Sequence, residues 1–152
     1  TALTAAYVAL LSYHMDGDEF AGLRKRINLA GTTGAIVENA WALRRHIAEL
    51  VGGARASRIY HILQPYMVEA IVVVDIAEAA PDLHQAIASY MQTLRHVRTE
   101  IDGNLLRERS VPPGPVYTRV LQGVLDARLD GAVTTRAQEE ALALSLLADT
   151  AN

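Results

Sequence analysis

Five histidines (His14, His46, His61, His84 and His96) are the first side chains to weigh for catalysis or metal binding. None stands in an HExxH or HxH spacing or next to an Asp, so none forms a ligand pair. His84 follows Asp82 by two residues, a spacing that does not turn two helical side chains toward one ligand. Asp16, Asp18 and Glu19 crowd three carboxylates together. A helix start explains them, because its amide dipoles favour negative charge. Gly31-Thr-Thr-Gly34 is too short for a phosphate loop and lacks its lysine, and no GxSxG, GxxxxGK[ST] or GxGxxG occurs. The chain has no cysteine, which excludes disulfides, cysteine–zinc sites and thiol catalysis. The expectation is no catalytic residue, no metal site and no cofactor.

Residues 101–131 read differently: IDGNLLRERSVPPGPVYTRVLQGVLDARLDG. They predict a short helix capped by Asn104, a rigid Pro-Pro-Gly-Pro turn, and a helix from Pro115 to Leu129 closed by Asp130-Gly131. Pro115 has no N–H, but the Val116 and Tyr117 amides are expected to be free. Gly114 places no side chain in front of them, which is the geometry of an anion site. Arg95, Arg98, Arg107, Arg109 and Arg119 would add charge for a nucleic-acid backbone. Residues 95–128 hold six arginines against four acids, net +2, whereas residues 1–94 come to −2 and 129–152 to −3. The expected nucleic-acid-binding residues are therefore Gly114, Val116, Tyr117, Arg119, Arg107, Arg109, Arg95 and Arg98. The same residues also fit a plain tight corner with solvated arginines. Arg128 falls inside the apolar stripe Val116, Val120, Leu121, Val124 and Leu125, where a structural arginine paired with a buried acid is expected. Arg119 shares the opposite face with Gln122 and Asp126, a face of mixed sign and modest phosphate affinity.

The elements that carry these residues are helical. Of the 152 residues 51 % are apolar, 20 % charged and 5 % aromatic, and 13 of the 14 basic residues are arginine. That Ala/Leu/Arg/Glu-rich mixture favours helix and supplies ample core for one domain or two small helical parts. The net charge of −3 excludes a wholly basic nucleic-acid glove but leaves room for a local patch. Helices are predicted over 3–15, 17–28, 33–51 and 57–64, with Asp16-x-x-Glu19 as a capping box for the second. Thr32 or Thr33 is the expected cap of the third, and Ser57 of the fourth. Leu3, Tyr7, Leu10, Leu11 and His14 share one side of the first. The run Ala70–Asp75 suits a buried strand ending in an acid, but its Ala- and Glu-rich flanks favour helix. Leu83, Ile87, Tyr90, Leu94, Val97 and Ile101 form the clearest seam and predict one helix over 81–101. A last helix is expected over 136–148, capped by Thr135-x-x-Gln138. The prediction is an all-α array of about eight helices with no sheet, divided as 1–52 and 56–152 around Gly52-Gly53 or continuous over 1–152. No apolar stretch of about 18 residues offers a membrane span. No basic-then-apolar leader opens the chain, and its start at Thr1 in a helix points to a piece of a longer protein.

Residues 90–145 resemble the C-terminal helical region of the bacterial tRNA nucleotidyltransferase and poly(A) polymerase family, the CCA-adding and A-adding enzymes. The matching positions are Ile101, Gly103, Leu105, Pro113, Gly114, Pro115, Leu121, Leu125, Asp130 and Gly131, with the upstream helix ending in Leu94-Arg95. Asn104 stands where the family usually has Asp, and Ser110 where Gly is usual. The resemblance implies a curved helical body and tail without the catalytic head, since the head's Gly-Gly loop and paired aspartates have no counterpart here. It implies a cytoplasmic, non-catalytic piece that binds and positions tRNA or another RNA through phosphates, joined in cis to the head. Mg²⁺ and a nucleoside triphosphate would belong to that head. The competing reading is a structural or oligomerisation module, a homodimer formed through the 83–101 seam.

Overall fold

The computed structural model describes residues 2–108 and 114–150. Among them there is helix and no strand, so the fold is all-α, as the composition predicts. The helices are α1 (Ala2–Ser12), α2 (Gly17–Ile27), α3 (Gly31–Leu43), α4 (Ile47–Leu50), α5 (Ala56–Leu63), α6 (Val68–Ala77), α7 (Pro81–Gln92), α8 (Gly103–Glu108), α9 (Pro115–Leu129) and α10 (Arg136–Thr150). The ambiguous run 70–75 lies inside α6, with Ala70, Ile71, Val73 and Val74 all buried. No single described helix is long and apolar enough to cross a membrane.

Helix α3 is the platform of the larger part. It packs against α1 and α6, which also touch each other. Ala5 and Ala9 face inward from α1, and such small side chains let helices approach closely. The expected apolar side of α1 divides: Leu3, Tyr7 and Leu11 are exposed, while Leu10 packs against the larger core. Asp16 caps α2 with the reciprocal Glu19 bond of a capping box. The turn before it is held from α3: Trp41 Nε1 donates to the Met15 carbonyl at 3.3 Å, and Arg44 donates to the Tyr13 and Met15 carbonyls. Phe20 stacks on Trp41 at 4.8 Å, and the Arg44 guanidinium lies over the rings of Tyr13 and Trp41. Burial, reinforced by a hydrogen bond to Glu78, pushes the Tyr13 hydroxyl well above its usual pKa. Neither Thr32 nor Thr33 caps α3; its N-cap is Ala30, without a side-chain bond. The predicted helix 33–51 is broken by a 3₁₀ turn at Arg44–His46 before α4.

The seam over 81–101 also breaks. Helix α7 ends at Gln92, Thr93 leaves helical geometry, and a 3₁₀ turn at Leu94–His96 leads into an extended Val97. Leu83, Ile87, Tyr90, Leu94 and Ile101 are nonetheless buried within the chain's own cores. The larger core gathers residues from Ala9 to Leu94 and the far end of α9, drawing on both sides of Gly52-Gly53. A smaller core joins Ile101, Leu106, Val120, Val124 and Ala143. Helix α9 belongs to both, through Leu125 and Leu129 to the first and Val120 and Val124 to the second.

Two helical glycines make tight contacts of different kinds. A Cβ on Gly34 would sit 2.9 Å from the Leu29 carbonyl oxygen, a backbone atom that cannot move alone. A Cβ on Gly123 would sit 2.8 Å from Leu146 Cδ1, the free end of a flexible side chain. Gly34→Ala is therefore expected to cost about 1–3 kcal/mol as overpacking. Gly123→Ala is expected to stay within about 0.5 kcal/mol, since the gain in helix propensity offsets the shift of Leu146. Chemical denaturation of both variants checks this, and equal costs would contradict the distinction.

Candidate nucleic-acid interface

The corner between α8 and α9 is assembled from several anchors. Asp102, not Asn104, caps α8: its carboxylate accepts the Asn104 backbone N–H and side-chain amide, both at 2.8 Å. Those bonds hold its pKa below the usual carboxylate value. Asn104 lies inside the helix and accepts from Arg107 at 2.9 Å. The ring of Tyr117 lies against Gly103, 3.4 Å from where a Cβ would stand. This contact sets the first turn of α9 beside the first turn of α8.

Behind the corner is a buried ion pair. Glu139 on α10 is 0 % exposed. Its carboxylate accepts the Glu100 and Ile101 backbone N–H groups at 2.8 and 3.2 Å and pairs with Arg128 of α9. Arg128 also reaches Glu100, and the hydrogen bond to Glu139 raises its already high pKa further. The arginine expected to be structural is structural. Its acid partner carries a legible mark: Glu139 stands in register with Leu142, Ala143 and Leu146, an acid on an apolar stripe.

The other end of α9 is fastened to α5. Gly131 has φ of +74°, and the Gly131 and Ala132 amides bond back to the Arg128 and Ala127 carbonyls, which is a Schellman ending. The Asp130 carboxylate accepts the Ser57 N–H and hydroxyl, both at 2.8 Å, and so supplies the first turn of α5 with an acceptor. Ser57 does not cap α5 itself; the N-cap is Arg55. His61 of α5 lies 2.6 Å from Asp126, and Gln122 donates to the same carboxylate. Two of the three residues expected on the Arg119 face thus serve the α5–α9 contact.

The predicted binding residues divide. Gly114 is exposed at φ 169°, extended backbone that any residue adopts, and among the described residues nothing crowds its α-carbon. Among the described residues no side chain caps α9. The Tyr117 amide is not free: it donates to the Gly114 carbonyl at 3.0 Å. Val116 and Tyr117 are half-buried against the smaller core. Arg119 is exposed and has no acidic partner among the described residues. Arg107 is exposed on α8 of the same corner. Arg95 and Arg98 belong to the segment after α7, which packs on α5 and α7. There Arg98 donates to the Arg95 and Val97 carbonyls, and Arg95 rests on Met91. Arg109, Ser110 and Pro113 lie outside the described residues. A cleft of about 180 Å³ beside the corner is lined by Glu100, Asp102, Asn104 and Arg136, an acidic excess unsuited to phosphate. Among the described residues no three acids or histidines cluster as metal ligands.

Over 92 residues, 60 % of the chain, the sequence is 33 % identical to the A-adding tRNA nucleotidyltransferase of Geobacter sulfurreducens. The similarity supports a relation to the tRNA nucleotidyltransferases. The chain spans only about 10 % of that relative's length. No family model and no solved structure matches.

The buried pair gives a test of how the corner is held. Glu139→Leu should destabilise the chain by about 3 kcal/mol, as removal of one partner of a buried pair does. Glu139→Gln should cost less, because its amide oxygen still accepts a backbone N–H. Urea titration separates the two, and equal losses would remove the Glu100–Ile101 amides from the account.

Proposed function

We propose that this chain is an RNA-binding and positioning part of a nucleotidyltransferase-family protein, and that it does not catalyse. The observation that carries this reading is the braced α8–α9 corner, which holds two exposed arginines from two helices, Arg107 and Arg119. The resemblance of residues 90–145 to the helical region of that family, and the similarity of the chain to an A-adding tRNA nucleotidyltransferase, support the same reading.

The mechanism is electrostatic and geometric. Arginine side chains neutralise phosphates and release counterions, while a rigid corner sets their spacing against one backbone shape. Arg119 is the principal contact, with the open start of α9 at Gly114 and Val116 beside it and Arg107 next. Arg109 is kept as a contact on its sequence position alone, and Arg95 and Arg98 are outer contributors that must first leave their backbone and thioether partners. Tyr117 acts by fixing α9 on α8 rather than through its amide. The partner is tRNA or a similarly shaped RNA, met in the cytoplasm. Nucleotide selection, Mg²⁺ and the nucleoside triphosphate belong to a catalytic head elsewhere in the parent.

Binding of fluorescent tRNA across a salt series tests this. Each phosphate contact steepens the fall of log K with log salt by roughly 0.7–0.9, so a slope of several units is expected. Arg119→Glu should weaken binding about tenfold or more and flatten the slope by about one to two contacts, with circular dichroism unchanged. Absence of saturable binding at low salt would overturn the reading, and unchanged affinity would remove Arg119 from the interface.

A further inference from the structure

Helices α5 and α9 run antiparallel along a polar seam: Ser57 meets Asp130, and His61, one turn further along α5, meets Asp126, one turn back along α9. His61 Nε2 lies 2.6 Å from the Asp126 carboxylate, and the Gln122 amide lies 3.1 Å from the same nitrogen. The two side chains are 34 and 38 % exposed, so water and protons reach the pair. Among the described residues no arginine or lysine pairs with Asp126, and His61 is its one cationic partner. Glu49, by contrast, has Arg58 as well as His46. Asp126 also shares the polar face of α9 with Arg119. Seven residues separate the two, which is two turns, so Asp126 stands at nearly the same angle about 10 Å further along the axis. That is about one Debye length at 0.1 M salt, within reach of a phosphate held at Arg119.

We propose that His61 is a further residue of the RNA interface, and that its protonation sets the affinity of the Arg119 face. The inference rests on the RNA-binding reading above. While the His61 ring is neutral, Asp126 leaves a negative charge on that face and repels phosphate. Asp126 takes the Nε2 proton, so a second proton enters at Nδ1, and the resulting imidazolium cancels the carboxylate. Histidine ordinarily titrates between about pH 5 and 8, so affinity for RNA falls as pH rises through that range. The other elements packed on α5 bring few charges to this place. Arg58, earlier on α5, is taken by Glu49 of α4. Tyr60 meets the His61 ring edge-on and lies beside Tyr90 of α7. In the 3₁₀ turn after α7, Arg95 rests on Met91 and His96 is exposed. His96 titrates as well, and a His61 variant separates its contribution.

Binding of fluorescent tRNA at one fixed low salt concentration, measured at about pH 5.5 and pH 8, tests this. Wild-type affinity is expected to be at least about threefold higher at the lower pH, the scale of one unit charge acting over about 10 Å near a protein surface. In His61→Gln, whose amide still donates to Asp126, most of that difference is lost and affinity stays near the wild-type value at pH 8. In Asp126→Asn, affinity at pH 8 rises about threefold above wild type. A pair that only fastened α5 to α9 would leave Asp126→Asn no tighter than wild type. Circular dichroism checks the fold of each variant at both pH values, and if His61→Gln does not fold, Asp126→Asn decides. Wild-type affinity equal at the two pH values overturns the proposal. So does a pH difference fully kept in His61→Gln, or an Asp126→Asn chain that binds no tighter at pH 8. Saturable binding that ignores pH overturns this inference alone, whereas no saturable binding at either pH overturns the RNA-binding reading and this inference with it.

Discussion

A single carboxylate, that of Glu139, stands fully buried where three pieces of chain meet. A charge taken out of water is costly unless its oxygens are filled with donors. Here they are filled by Arg128 from α9 and by two consecutive amides from the non-helical stretch before α8. The requirement works outward. The stretch between α7 and α8 must leave helix to present both amides, α9 must be rotated so that Arg128 points inward, and α10 must lie along α9. The smaller core, the entry into α8 and the orientation of the Arg119 face all follow from satisfying that one group.

Helix α9 transmits this order to the rest of the molecule. Its first half is packed into the smaller core and its second half into the larger one. Its polar face is divided as well. Asp126 and Gln122 meet His61, and Asp130 meets Ser57, leaving Arg119 near the helix start without such a duty. A helix fixed along its whole length holds a cation in a defined place at little further entropic cost, the condition for recognising a backbone by shape.

Local signals were legible where they were self-contained. The capping boxes at Asp16-x-x-Glu19 and Thr135-x-x-Gln138, the limits of α9 and the helical state of 70–75 all follow from neighbouring residues. Arg128 was readable as structural because a charge inside an apolar stripe demands a partner. The seam over 83–101 was right in its residues and wrong in its conformation: periodicity reports burial, while the Glu100 and Ile101 N–H groups go to the Glu139 carboxylate instead of to helical carbonyls. The face of α1 was illegible for the opposite reason, since small alanines seat it against α3 while Leu3, Tyr7 and Leu11 face outward. At the candidate site the sequence pointed to the arginines, but not to the Tyr117 amide folding back on Gly114 or to Asp102 displacing Asn104 as cap. Both depend on backbone geometry that residue identity alone does not set.

The bond between Ser57 and Asp130 spans 73 residues. A ribosome delivers a chain from its N-terminus at about 5–20 residues per second, so α5 waits about 4–15 s before the acceptor for its first turn emerges. Through that interval the larger core is open along the side that Leu125 and Leu129 will later close. The larger core is therefore closed only after α9 has followed α5 out of the ribosome, by the same helix that displays Arg119.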